Sequence, residues 1–167
     1  MTHAPEGERS RMITQDPDLG ILAARLLFSL QREVFARLAE RGHGEVSPRH
    51  GAILAYLDAG GVRATELARL SGRHKQIVGR LVDELEALGY VERRPDPADR
   101  RAKLVVPTER GLDEQRHADE IIADIERRHA GTIGEPAYAQ LRRALKAITD
   151  ETAAGPDQQD DSRSTPG

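Results

Sequence analysis

The chain has 167 residues, enough for one domain with tails, and a formal net charge of −3. It has no Cys, which excludes disulfides, thiolate zinc sites, iron–sulfur clusters, cysteine nucleophiles and cysteine-based peroxide sensing. No apolar run approaches the ~20 residues of a membrane span, and the first twenty residues have no signal-peptide core, so a cytoplasmic protein with no membrane partner is expected.

Aromatic residues are 3% of the chain, so the core must come from Leu, Ile, Val and Ala, which favours helices. The charge is uneven. Residues 62–111 carry +3 and residues 150–167 carry −4. A basic block in a near-neutral chain points to a polyanionic partner.

Residues 1–16 and 153–167 are polar and aperiodic and are expected to be disordered tails. The first helix is predicted from Asp18 to about Arg41. Leu19, Leu22, Leu26, Leu30, Val34 and Leu38 recur at spacings of three and four, widened by Leu27 and Phe28. Asp16 or Asp18 can cap it, and Gly42 can stop it. At ~1.5 Å per residue such a helix exceeds ~30 Å, so part of its stripe must meet something other than a small core.

Ser47 and Pro48 predict a helix start, with Ile53, Leu54 and Leu57 inward. A short third helix is predicted over Ala64–Leu70, with Leu67 and Ala68 inward, broken at Ser71-Gly72. The fourth runs from about Arg73 to Leu88. Val78, Leu81, Val82, Leu85 and Leu88 face one way, and Gln76, Arg80 and Asp83 the other. After Gly89 the period becomes that of a strand, 90–94, then Pro- and Asp-rich turn chemistry, 95–99, then a second strand, 101–106. This is a β-hairpin with Arg100 and Arg101 at its tip. Pro107 lacks a donor, so the second strand should end by Val106. Thr108 caps a fifth helix with Leu112, Ile122 and Ile125 inward, breaking near Gly131. The sixth opens at Glu135-Pro136. Tyr138, Leu141, Leu145, Ile148 and Thr152 follow a seam of the coiled-coil kind.

Short helix, tight turn, longer helix and basic hairpin together make a winged helix-turn-helix. An exposed helix face fits the major groove, and an Arg-tipped hairpin suits the narrow minor groove. The candidate readers are Arg73, Lys75, Gln76 and Arg80, with Gln76 placed for an adenine edge and Arg80 for a guanine edge or a phosphate. Arg100 can reach a phosphate, and Arg93, Arg94 and Lys103 rank below it. Gly79 is out of place inside a helix, and a close approach to DNA would explain it.

The run from Glu66 to Gly111 resembles the MarR family of winged-helix transcriptional regulators. The resemblance rests on ELA in the third helix, LVDELEALGYVERR, the wing PDPADRR and the junction TERG. It covers roughly residues 17–152. It implies a mainly α fold with a small β-hairpin wing, a winged helix-turn-helix plus a helical dimerisation body. The DNA-binding lobe would be about 47–107, and the dimerisation helices about 17–41 and 108–152. It implies a homodimer that binds a pseudo-palindromic operator on double-stranded DNA, represses, and lets go when a small aromatic or anionic effector binds. By the same resemblance Asp99 would orient the guanidinium of Arg101, and the effector pocket would draw on Phe28, Arg32, and His50 or Ile53. His74 stands where the family often has Ser or Thr.

The six His show no metal-ligand spacing. His117 and His129 lie twelve apart, and His43 and His50 flank the second helix start. Neither metal nor cofactor is expected. No G-x-S-x-G, P-loop or G-x-G-x-x-G is present, so no catalytic residue is assigned. The competing reading is a winged-helix protein-interaction module without DNA readout. Acidic Asp83, Glu84 and Glu86 would favour it if they broke up the basic face.

Overall fold

A computed structural model describes residues 16–154. Of the two expected tails, only Asp16, Ala153 and Ala154 fall inside that range. The last two correct the expected boundary, because they continue the sixth helix. The side chain of Thr152 lies outside the described residues.

Helix α1 spans Leu19–Glu40, and the Asp18 carboxylate accepts from the Ile21 N–H at 2.9 Å. Helix α2 spans Pro48–Leu54 behind Ser47. A two-residue strand β1, Val62–Arg63, leads directly into α3, Ala64–Ser71. Helix α3 closes on Gly72 in the left-handed region at φ 63°, a conformation that spares glycine the Cβ clash. Helix α4 spans Lys75–Ala87 with His74 at its N-cap. Arg73 therefore sits in the turn, not in the helix it was expected to open.

Strands β2, Val91–Pro95, and β3, Lys103–Pro107, form the wing. The expected two-stranded hairpin is a three-stranded antiparallel sheet ordered β1-β3-β2, with Val62 opposite Val105 and Arg63 opposite Leu104. Strand β3 also reaches one residue beyond the expected end. Pro107 lies opposite Val91, and the Thr108 N–H donates to the Tyr90 carbonyl at 3.0 Å. That bond brackets the Val91–Pro107 pair as a non-hydrogen-bonded one. A donor at 107 would point away from β2, so proline loses nothing there.

The core of this lobe includes Ile53, Leu54, Leu67, Val78, Val82, Leu85, Tyr90 and Val91. Each buried Leu or Val side chain stabilises by about 1.5–3 kcal/mol relative to exposure. Helix α5, Glu109–Ile133, is fastened to this core at its first turn. The Thr108 hydroxyl donates to the Gly89 carbonyl at 2.6 Å and accepts from the Gly111 N–H at 3.1 Å. A Cβ on Gly111 would stand 2.1 Å from the Tyr90 carbonyl oxygen, so only glycine permits this approach. Along α5 the inward face differs from the expected one. Leu112 and Ile122 are exposed, while Glu114, Ile121 and Ile125 are buried.

The chain divides into two compact units between Ala123 and Asp124, inside α5. In the second unit the end of α5 turns at Gly134 into α6, Glu135–Ala154. Arg142 reaches Glu126 at 3.4 Å, and the His129 and Tyr138 rings lie 6.4 Å apart. Among the described residues no helix is long and apolar enough to cross a membrane.

Candidate nucleic-acid interface

Helix α4 buries Val78, Leu81, Val82 and Leu85, which turns Lys75, Gln76 and Arg80 into solvent. Arg100 and Arg101 are exposed at the wing turn. Among the described residues, Arg73, Lys75, Arg80, Arg100 and Arg101 enter no ion pair.

Other arginines are committed. Arg93 is bound by Asp83 at 2.5 Å and by Glu86. Arg94 is bound by Glu92, and Arg69 by Glu66 at 2.6 Å. Glu84 takes Arg49 at 3.1 Å and the His50 Nε2 at 2.9 Å. The three acids that could have broken up the basic face are thus each occupied by a base. The His50 hydrogen bond, more than the nearby arginines, holds Glu84 below the usual carboxylate range. Arg93 and Arg94, considered as phosphate contacts, already have carboxylates on them. Lys103 is exposed.

The wing turn is built on Asp96, a residue the sequence reading passed over. It is buried, accepts from the Ala98 N–H at 2.8 Å, and accepts from Arg63 Nε at 2.7 Å. The Ala98 amide first, then Arg63, keeps its carboxyl below the usual range. Arg63 is a member of β1, and a two-residue strand shows no periodicity in a sequence. Asp99 acts differently from its expected role. Its carboxylate accepts from the Arg101 backbone N–H at 3.1 Å, not from the guanidinium. A short Asp side chain reaches its own chain two residues on more easily than a long neighbour's tip.

Helices α1, α2 and α5 enclose a cavity of about 510 Å³, lined mainly by apolar residues such as Leu27, Leu30, Phe35, Leu54 and Ile122. None of the four expected pocket residues lines it. Phe28 and Arg32 lie on the exposed side of α1, because the stripe facing the cavity runs 27, 30, 31, 34, 35, 38. Ile53 belongs to the lobe core. His50 is buried and engaged at both nitrogens. Nδ1 accepts from the Ser47 N–H at 3.3 Å, which leaves the proton on Nε2 for Glu84. The cavity wall carries four polar residues, Gln31, Glu114, Gln115 and Asp119; Glu114 is 2% exposed, and among the described residues its Oε2 has no hydrogen-bond partner. Burial, with the charge of Asp119 behind it, pushes its carboxyl up to about 7.

A second polar cluster joins the segment after α1 to α5. His43 Nε2 lies 3.1 Å from Asp113 Oδ2 and 3.3 Å from His117 Nδ1, while His43 Nδ1 lies 3.2 Å from the Tyr90 hydroxyl. Asp113 and His117 are four apart on one helix, a legible spacing. Their third partner is 70 residues away, beyond the reach of any spacing rule.

Comparison with known proteins agrees with this geometry. The MarR family model matches residues 45–102, from the segment before α2 to the wing turn. The uncharacterized HTH-type transcriptional regulator YcgE of Bacillus subtilis is 46% identical over 50 residues, a stretch covering 30% of this chain and 32% of that protein. Two solved structures align over most of both chains. CouR from Rhodococcus jostii RHA1, bound to p-coumaroyl-CoA, is 28% identical with a TM-score of 0.67, covering 88% of this chain and 98% of the other. A MarR-family transcriptional regulator from Rhodococcus sp. RHA1 is 28% identical with a TM-score of 0.65, covering 80% and 95%. With the helix-turn-helix, the wing and the flanking helices all present in order, the chain belongs to the MarR family of transcriptional regulators.

Proposed function

We propose that the protein is a homodimeric, sequence-specific DNA-binding repressor of the cytoplasm that releases a pseudo-palindromic operator when an effector enters the α1–α2–α5 cavity. The carrying observation is the split between committed and uncommitted cations. Among the described residues the bases at the start of α4 and at the wing turn form no ion pair, while Asp83, Glu86 and Glu84 are occupied by Arg93, Arg49 and His50. Phosphates are the natural counter-ions for such a set. The same neutralisation counts against a protein-interaction module. Arg101 is proposed for the minor groove, Gln76 and Arg80 for base edges, and Arg73, Lys75 and Arg100 for phosphates.

The second copy is proposed from apolar residues left in solvent. Leu19, Leu22 and Leu26 on α1, and Leu141, Leu145 and Ile148 on α6, are all exposed. The effector reading rests on the cavity and on the p-coumaroyl-CoA complex of the similar Rhodococcus protein. A mainly apolar wall with a buried Glu114 carboxyl, whose Oε2 has no partner among the described residues, suits an aromatic body that donates a hydrogen bond to it.

Fluorescence anisotropy with a labelled duplex tests the DNA reading. Affinity is expected to fall linearly on a log–log plot against salt, by at least about 10³-fold between 50 and 200 mM if six or more phosphates are contacted. A chain that binds no duplex at low salt would remove the proposal.

A further inference from the structure

We infer that His43, Asp113 and His117 form a site for one divalent transition-metal ion of the zinc class. Their donor atoms, His43 Nε2, Asp113 Oδ2 and His117 Nδ1, stand 3.1, 3.3 and 3.7 Å from one another. A tetrahedral zinc site with bonds of about 2.0–2.2 Å spaces its ligands by about 3.3–3.6 Å. The three atoms therefore already occupy three corners of the right size. The fourth corner is left to water or an exogenous ligand. Two imidazoles and one carboxylate select zinc, cobalt or nickel over magnesium and calcium, which prefer all-oxygen sites.

Hydrogen bonding pairs this triangle only in part, because even a proton shared from His43 Nε2 leaves the His117 and Asp113 lone pairs facing each other at 3.7 Å. A carboxylate oxygen only accepts. If one imidazole nitrogen carries a proton, the other faces the carboxylate as acceptor against acceptor. If both carry one, they face each other at 3.3 Å as donor against donor. A cation turns all three lone pairs to use at once.

The surroundings match. Ligation through Nε2 leaves the His43 proton on Nδ1, which donates to the Tyr90 oxygen at 3.2 Å, and Tyr90 in turn donates to Glu45 at 3.4 Å. Metal-ligating histidines are usually oriented in this way by an outer partner. Asp113 uses its other oxygen for Arg116, so Oδ2 remains for the ion. His43 is 3% exposed, whereas the His117 and Asp113 side chains are 25% and 39% exposed. The site is thus anchored on its inner side and open for entry on the outer. A bound ion would staple the segment before α2 to α5 and, through Tyr90, to the residue just ahead of β2.

The test needs no DNA, so it stands apart from the proposed function. The full chain, stripped with EDTA, is titrated with cobalt(II) and then zinc(II). One cobalt per chain is expected, with the intense visible absorption of tetrahedral coordination, bleached by one equivalent of zinc. His117→Ala and Asp113→Asn, both at half-exposed positions, should abolish the spectrum. Tyr90→Phe should weaken binding by about tenfold, and His129→Ala should leave it unchanged. Absence of a stoichiometric tetrahedral spectrum, or a spectrum that survives His117→Ala, would overturn the assignment.

Discussion

In the lobe that holds the helix-turn-helix, Leu67, Val78, Val82 and Leu85 are all at 0% exposure. On the first half of α1 and along α6, residues of the same type at the same helical spacing stay in solvent, Leu19 at 68% and Ile148 at 51%. Helical periodicity marks a face but does not say what covers it. In the lobe the covering surface comes from the same chain within sixty residues. For α1 and α6 the proposed cover is a second copy of the chain.

The largest effect should come from the lobe. Leu85→Ala is expected to lower the unfolding free energy by about 2–5 kcal/mol in urea titrations, with a fall below about 1 kcal/mol contradicting the burial account. Glu114→Gln comes next and has the opposite sign. With its carboxyl raised from 4.5 to about 7 in the fold, the folded chain holds a proton that the unfolded chain releases. Stability is therefore undiminished below about pH 4.5, declines as pH rises to 7, and stays reduced above it. At pH 8 in EDTA the substitution should add about 3 kcal/mol, and near pH 4 almost nothing.

Leu145→Lys on α6 should weaken self-association by about 1–3 kcal/mol, read by sedimentation. Unchanged association would break the assignment of α6 to a second copy. Arg101→Ala should reduce operator affinity about tenfold with no change in melting temperature. Arg93, already paired with Asp83 and Glu86, should matter less to DNA than Arg101 when replaced by Ala. The smallest effect belongs to Gly79, where an added Cβ meets nothing within 4 Å. Gly79→Ala should stabilise α4 by up to about 1 kcal/mol while weakening DNA binding, if DNA is what requires the glycine.

Much of the fold was legible because its boundaries are chemical. Ser47-Pro48, Asp18 and Thr108 open helices where their caps say they should, and the Pro–Asp turn makes the wing. Strand β1 was not legible, since Val62 and Arg63 are too few to show alternation, and with it went the Arg63–Asp96 contact that braces the wing. The inward face of α5 was misread by one position, at Ile122 for Ile121, because adjacent isoleucines satisfy a helical stripe equally well. Along α1 the residues that face the cavity are 27 and 31, one position before the expected 28 and 32, because Leu27 and Phe28 are neighbours that extend a helical stripe equally well. The candidate reader positions were visible from exposure and charge. Which arginines were already neutralised depended on contacts across the fold, such as Arg93 with Asp83 and Glu86.

The most direct test of a paired, sequence-reading molecule is selection of bound duplexes from a random pool by the purified full-length chain. The account predicts enrichment of two inverted half-sites with centres about 10–10.5 base pairs, or a multiple of that, apart. Enrichment of a single unrepeated site, or no enrichment at all, would contradict it.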